Sequence, residues 1–298
     1  MGGTSSEREV SLQSGRNVAE ALATIGRYEV VPVVLDADNL DPLPADVEAV
    51  YIALHGGWGE NGGVQAALDE RGIPYTGPGA EASRTAMDKI QTKKTLDSAQ
   101  VPTAPWLVCR KCIQPLKVSP LGYPCVVKVP RDGSSVGVFL ARGDASFSKA
   151  LADCWQLDGS EALVEKFIPG REMTVGIIDG ETLPVVEIIA AGGWYGYEEK
   201  YISTETRYPF LADSEDPADI ALEAKLKKLA LAAYEAVGCR GVTRVDFRVD
   251  PEGNAYVLEL NTSPGFTSHS LVPKAGMKTG LSFAGVCARI LEAARCGQ

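Results

Sequence analysis

Residues 242–261 read as two alternating strands joined by turn chemistry, and this pair constrains the chain more than any other stretch. In Val242–Val249 the apolar Val245, Phe247 and Val249 alternate with Arg244, Asp246 and Arg248. In Tyr256–Asn261 the apolar Tyr256, Leu258 and Leu260 alternate with Val257, Glu259 and Asn261. Asp250-Pro-Glu-Gly-Asn254 supplies the turn. Both apolar sets must face one core, and a one-residue slip would reverse every side chain. The register then pairs Val249 with Tyr256, Phe247 with Leu258 and Val245 with Leu260. On the other face Asp246 lies across from Glu259, and Arg244 across from Asn261. Opposed Cβ atoms are about 4.5–5.5 Å apart, so two carboxylates there repel. A hard cation that takes oxygen ligands removes the conflict. Asp246, Glu259 and Asn261 therefore read as a magnesium face, with Arg244 beside it for developing negative charge. The competing reading is a solvated strand face whose arginines neutralise the acids.

The rest of the chain alternates in kind. Ser6-x-x-Glu9 has the spacing of a capping box, opening a helix over about 7–25. Glu29–Leu35 and Val47–Leu54 are β-branched runs, and the second ends at His55-Gly-Gly, which places His55 at a carboxyl edge where α/β sheets bind ligands. With a helix over 60–71 and a short strand at 73–76, residues 1–77 form a parallel α/β domain. A helix over 80–98 follows, then strands at 121–129, 162–168, 172–178 and 181–189 around a helix at 145–156. This middle part is a small α+β unit. The stretch 191–211 has no periodicity and suits a functional loop. Pro217 and Gly238 bracket a helix over 217–237, and a last helix spans 282–295.

Composition narrows the partners. Among 298 residues, 39 acidic against 29 basic side chains leave a net charge of −10. Such a body repels polyphosphate backbones, which disfavours a general nucleic-acid binder but not a single nucleotide held by a few local cations. No apolar run approaches the ~18 residues of a membrane span. The polar start lacks a signal peptide, though Gly2 and Ser6 fit the loose myristoylation pattern that a Gly-Gly turn explains as well. Seven cysteines without an export signal indicate reduced thiols in the cytoplasm. Cys109-Arg-Lys-Cys112 is a lone CxxC with no second pair for zinc.

Val126-Val-Lys128 followed by Gly133-Ser-Ser-Val-Gly137 is a strand running into a donor-rich loop. Its N–H groups and hydroxyls can wrap phosphate oxygens, with Lys128 as a point charge; a plain turn is the simpler alternative. The chain has neither a Walker A loop nor a GxGxxG after a strand. Lys89 and Lys200 are further phosphate candidates, although each alone reads as a surface lysine. Glu165 and Glu172 flank Lys-Phe-Ile-Pro-Gly-Arg and alone read as surface acids.

Several segments in order carry a resemblance: Gly2-Gly-Thr-Ser-Ser-Glu-Arg-Glu-Val-Ser11, Leu54-His-Gly, Met87-Asp-Lys89, Val127-Lys128 with the glycine loop, Tyr197-Glu-Glu-Lys-Tyr201, Arg244-Val-Asp246 and Leu258-Glu-Leu-Asn-Thr-Ser-Pro-Gly265-Phe-Thr-Ser-His-Ser270-Leu-Val-Pro. Together they resemble the D-alanine–D-alanine ligase family of the ATP-grasp superfamily over nearly the whole chain. The resemblance implies a three-domain fold: an N-terminal α/β substrate domain (1–77), a central ATP-grasp subdomain (78–164) and a C-terminal one (165–298), with ATP between two antiparallel sheets. It implies ATP-driven joining of two D-alanines through an acyl phosphate, for peptidoglycan, by a cytoplasmic homodimer.

By the same resemblance Lys89, Lys128 and Lys200 contact phosphates, and Ser134 and Ser135 sit in the closing loop. Glu165, Lys166 and Ile168 line the adenine pocket, and Glu172 takes the ribose. Asp246, Glu259 and Asn261 hold two Mg²⁺ (or Mn²⁺) ions. Glu7 binds the first D-alanine's ammonium, His55 lies near its carboxylate, and Ser270 and Leu271 seat the second D-alanine. Arg244 and the Gly265 N–H are the oxyanion donors. Glu7, Ser134 and Tyr201 (or Tyr195) link the closing loops, and a tyrosine at 201 favours D-alanine over D-lactate as acceptor.

Four features depart from the family pattern. Met1 abuts Gly2, so the first strand of the parallel layer is expected to be missing, with a sheet edge exposed. Glu60-Asn61 replaces Glu-Asp, Arg207-Tyr-Pro-Phe differs from the usual run, and Cys109–Gly122 is short. A different acceptor (D-lactate or D-serine) and a non-catalytic nucleotide-binding relic are the competing functions.

Overall fold

The computed structural model describes residues 1–111, 116–131, 133, 137–190 and 205–297. Two antiparallel sheets dominate it. The first comprises β1 (Trp106–Arg110), β2 (Cys125–Lys128), β3 (Val138–Ala141) and β4 (Glu161–Lys166) in the order β1-β4-β2-β3. The second comprises β5 (Arg171–Ile178), β6 (Glu181–Thr182), β8 (Val242–Val249) and β9 (Ala255–Asn261) in the order β6-β5-β8-β9, with β7 (Val186–Ile188) also on β5. Eight helices are described: α1 (Arg8–Ala23), α2 (Gly63–Glu70), α3 (Ala80–Met87), α4 (Lys89–Ser98), α5 (Asp144–Asp158), α6 (Pro217–Val237), α7 (Leu271–Lys278) and α8 (Phe283–Glu292). Among the described residues no helix is long and apolar enough to cross a membrane.

Each sheet buries one face. Val127 and Val164 of the first sheet pack with Phe147 and Leu151 of α5. Val245, Phe247 and Leu260 of the second pack with Leu226 and Ala230 of α6, and with Ala86 and Leu96 of α3 and α4. A fully buried side chain such as Phe247 contributes about 1.5–3 kcal/mol. Helix α6 has its expected bounds because Pro217 occupies the first turn, Asp216 accepts from the Ala218 N–H, and Gly238 turns left-handed at φ 74°. Strand β4 runs across the expected domain boundary at 164/165, carrying Glu165 and Lys166 in the first sheet.

The hairpin register is half as expected. Arg244 pairs with Asn261, Val245 with Leu260 and Asp246 with Glu259. Beyond a bulge the pairs become Phe247 with Val257, Arg248 with Tyr256 and Val249 with Ala255, not Leu258 or Tyr256 as read. The core takes Ala255, Val257 and Leu260 from β9. Residues 257 and 260 are an odd number apart, so one extra residue, Leu258, must be accommodated between them. Tyr256 is left half-buried, its hydroxyl donating to Asp250 at 3.3 Å.

The N-terminal layer departs most. Residues 29–35 and 47–54 form no continuous strand; single parallel pairings join Gly2 to Leu35 and Val50 to Tyr75. The Met1 ammonium donates to the Val33 carbonyl at 3.0 Å, and the Leu35 N–H to the Met1 carbonyl at 2.9 Å. The 29–35 run makes no further strand pairing among the described residues, and Val31 and Val34 stay 57% and 39% exposed.

Smaller corrections follow from side-chain chemistry. The Ser6 capping box does not form: Glu7 stands at the N-cap position, without a side-chain cap. The helix read over 80–98 breaks at Asp88, which is extended and whose carboxylate accepts from the Ile90 and Gln91 N–H groups, making it the cap of α4. The strand read over 181–189 is split into β6 and β7 around Pro184. Helix α7 was not expected.

Candidate active site

A cavity of about 110 Å³ lies where the N-terminal layer meets the second sheet and the loop after β9. Its wall brings together Glu7, His55, Lys89, Arg244, Glu259, Asn261, Gly265, Ser270 and Leu271 from the residues expected by sequence, and adds Glu60 and Gly133. Asp246, Lys128, Glu165, Lys166, Ile168 and Glu172 are not in that wall. They lie on the adjoining strands, except Ile168, which is in the connection between β4 and β5. Ser134, Ser135, Lys200, Tyr195 and Tyr201 fall outside the described residues, as does Cys112.

The polar face of the second sheet carries the carboxylates. Arg244 and Asp246 alternate on β8 and meet as a fork, Nε to Oδ1 at 2.9 Å and Nη2 to Oδ2 at 2.8 Å. Thr174 on β5 donates to Asp246 Oδ1 at 2.6 Å. Across the ladder, Glu259 has the Lys89 ammonium at 3.9 Å. Nearby cations thus offset the repulsion expected between Asp246 and Glu259: Arg244, as in the neutralised-face reading, and Lys89, which that reading did not include. The oxygen set nonetheless fits a magnesium-type ion. Two carboxylates face each other in register, and Asn261 is next on the same face. Among the described residues no three of His, Cys, Asp and Glu are grouped to hold a metal ion, so the set here is two carboxylates and one amide. Two carboxylates and an amide oxygen leave coordination positions for phosphate and water.

Glu7 is placed by the turn before α1. The Ser5 hydroxyl donates to the His55 carbonyl at 2.5 Å and accepts from the Glu7 N–H at 3.2 Å. Gly56 stands beside it at φ +65°, and a Cβ there would lie 2.7 Å from Glu7 Oε2. Glu7 also reaches the glycine loop: a Cβ on Gly133 would lie 3.6 Å from Glu7 Oε2.

His55 is buried in the wall. Its Nδ1 lies 3.0 Å from the Ser263 carbonyl and its Nε2 3.1 Å from the Ser14 hydroxyl. A carbonyl only accepts, so Nδ1 carries the proton and Nε2 accepts from Ser14. Burial lowers the imidazole pKa, partly offset by the Glu7 carboxylate. Ser14 also accepts from the Phe266 N–H at 3.1 Å, so His55 and Ser14 together fasten the loop that carries Gly265. A Cβ on Gly265 would meet Ser270 Oγ at 2.9 Å. Ser270 accepts from the Thr267 N–H at 2.8 Å at the start of α7, and the Leu271 side chain goes into the core.

Glu60 was noted by sequence only as a neighbour of an unusual residue. Burial, then the Glu7 carboxylate, push its carboxyl up to about 8. The folded chain therefore keeps a proton that the unfolded chain releases near 4.5. Stability from this group is complete below about 4.5 and is lost as pH rises toward 8. Glu60→Gln, neutral at every pH, is expected to melt higher than the parent by about 4 °C or more at pH 8, with the gap closing toward pH 5. Parallel melting curves from pH 5 to pH 8 would reject the buried proton.

On the first sheet Lys128 ends β2 and Glu165 lies on β4. Both project from the face opposite α5, with Val126 and Leu163. Glu165 is 2% exposed and ion-paired to Lys128 and to Lys93 of α4. Burial alone would raise its carboxyl; Lys128 and Lys93 overcome that and hold it at about 2. Burial opposes the charge on Lys128 as well, but Glu165 and then Glu259 raise its pKa overall. Lys166 is exposed at the end of β4. The Ile168 carbonyl accepts from Arg248 Nε at 3.1 Å, and Glu172 pairs with Arg248 at 3.3 Å. Lys93, Thr174, Ser14 and Arg248 were missed as site residues. Only Lys93 left a usable trace, one helical turn after Lys89.

Comparison with known proteins identifies the family and the fold. The family described as "D-ala D-ala ligase C-terminus" matches residues 96–292. The D-alanine–D-alanine ligase of Bordetella pertussis is 44% identical over 303 residues, covering 99% of this chain and 93% of the relative. That of Syntrophotalea carbinolica is 41% identical over 295 residues, covering 99% and 94%. The crystal structure of the Bacillus anthracis D-alanine–D-alanine ligase complexed with ATP matches with a TM-score of 0.85 at 33% identity, over 98% of this chain and 94% of that one. The two antiparallel sheets, the order of motifs along the chain and these full-length likenesses agree: the chain belongs to the D-alanine–D-alanine ligase family and has its ATP-grasp fold.

Proposed function

We propose that the chain is an ATP-dependent D-alanine–D-alanine ligase, joining two D-alanines with release of ADP and phosphate and supplying peptidoglycan synthesis in the cytoplasm. The observation that carries this reading is the single cavity shared by Glu7, His55, Arg244, Glu259, Gly265 and Ser270. It joins an acid able to hold an ammonium group to an anion-stabilising arginine and a carboxylate face.

In this reading Glu7 takes the ammonium of the first D-alanine, with His55 as the neutral wall beside its carboxylate. That carboxylate attacks the γ-phosphorus of ATP, giving an acyl phosphate and ADP. Lys89 and Lys128, with Lys200, Ser134 and Ser135, neutralise and cover the phosphates. Glu165, Lys166 and Ile168 border the adenine and Glu172 the ribose. Asp246, Glu259 and Asn261 would hold two Mg²⁺ or Mn²⁺ ions, which supply charge neutralisation at the phosphates. The second D-alanine, seated by Ser270 and Leu271, attacks the acyl carbonyl through its deprotonated amine. Arg244 and the Gly265 N–H steady the oxyanion, and phosphate leaves. Glu7 and the glycine loop, tied with Ser134 and Tyr201, exclude water that would hydrolyse the acyl phosphate. The family also supports a homodimer as the working assembly, and the 1–77, 78–164 and 165–298 division as its domains.

The test is phosphate release from ATP, dependent on Mg²⁺ and D-alanine, with chromatography of the products when D-alanine, D-lactate and D-serine compete. D-Alanyl-D-alanine is the expected product. ATP binding without phosphate release on adding D-alanine would make the chain a nucleotide-binding relic, and a mixed product would reassign the acceptor.

A further inference from the structure

The carboxylate of Glu165 is shared by two lysines, and only one of them is expected at the nucleotide. Lys93 approaches Oε1 and Lys128 approaches Oε2. The side chains of Lys93, Glu165 and Lys128 are 1%, 2% and 10% exposed. Glu165 thus stands between two buried lysines, with Glu259 as a further carboxylate acting on both, and burial lowers the Lys93 pKa in spite of them. An unmatched buried charge is unfavourable, and an incoming polyanion relieves it.

The two lysines are held differently. The Lys93 ammonium also donates to the Thr103 hydroxyl and, at 3.3 Å, to the Val257 carbonyl. Thr103 donates to the same carbonyl at 2.7 Å, and the Val257 N–H donates to Pro102 at 2.9 Å. Lys93 is therefore anchored to α4, to the linker before β1, to the bulge of β9 and to β4. Lys128 is the last residue of β2, directly before the turn that leads into the glycine loop.

We propose that Lys93 is a positioning residue of the nucleotide site: it is the standing counter-ion of Glu165, and it lets Lys128 exchange that carboxylate for a nucleotide phosphate. The inference rests on the ATP-dependent reading above. Without Lys93, Glu165 and Lys128 become a one-to-one buried pair, and a phosphate must compete with the carboxylate for its only cation. The loss therefore falls on nucleotide affinity and is mediated by the charge of Glu165.

ATP affinity measured by titration calorimetry on the full chain, with steady-state kinetics alongside, tests this. Lys93→Met is expected to weaken ATP binding and raise KM for ATP by about tenfold or more, while kcat at saturating ATP stays within about threefold of the parent. An effect carried by the Glu165 charge vanishes once that charge is gone, so Lys93→Met/Glu165→Gln is expected to bind ATP within about threefold of Glu165→Gln alone. That comparison stands even where Lys93→Met by itself does not fold. Parental affinity in Lys93→Met, or a further tenfold loss in the double variant, overturns the proposal. A parent chain that binds no ATP overturns the functional reading instead.

Discussion

Glu259→Gln is expected to lower kcat/KM by about 10³-fold or more, roughly 4 kcal/mol of transition-state stabilisation. The substitution keeps the side-chain volume and removes one charge from the face that Asp246 and Asn261 complete. Stability should not follow the rate. Glu259 stands directly across from Asp246, and like charges in that relation destabilise a ladder. The relief of that repulsion is offset by the loss of the carboxylate beside the buried Lys89, so the variant is expected to melt near the parental temperature while losing turnover and the magnesium dependence of what remains. Activity within about threefold of the parent would remove Glu259 from the reaction.

Arg244→Ala is expected to lower the rate by about 10²-fold or more, the usual consequence of losing a donor to a developing oxyanion. Here stability should fall as well. The guanidinium forks onto Asp246, and the Asp246 residue is only 7% exposed. Its loss leaves Thr174 as the remaining donor to Asp246 Oδ1 from β5. A carboxylate stripped of its cation in that position costs the folded state, so the melting temperature should drop together with the rate. Rate and melting temperature thus part company at Glu259 and fall together at Arg244. An unaltered rate in Arg244→Ala would take the arginine out of the mechanism.

The functional half of the hairpin was legible because charge and alternation agree there: Arg244, Asp246, Glu259 and Asn261 leave a single register that keeps Val245 and Leu260 in the core. The far half was not, because Tyr256 and Leu258 alternate as a larger pair than Ala255 and Val257, while the bulge turns the smaller pair into the core. Helix α6 was legible from Pro217 and Gly238, since both act locally. The break at Asp88 was readable in principle, for Asp is a strong N-cap, but the helical pattern runs on through it. The strands read over 29–35 and 47–54 failed for the opposite reason. Their β-branched residues are real, yet a strand exists only with a partner, and pairing is not written in one segment. Lys93 was hidden by its type: lysine is a surface residue by default, and only the fold brings Glu165, Thr103 and Val257 around it.

The sparse pairing around Gly2, Leu35, Val50 and Tyr75 has a consequence for how the cleft behaves. Layers tied at single points open locally with little effort, whereas β5, β8 and β9 form a continuous ladder. Glu7 belongs to the sparsely paired side and Arg244 and Glu259 to the ladder, while His55, bonded to Ser263 and Ser14, joins the two. Anything gripped by both must stiffen the first against the second, so occupancy of the cleft and the solidity of the amino-terminal layer rise and fall together.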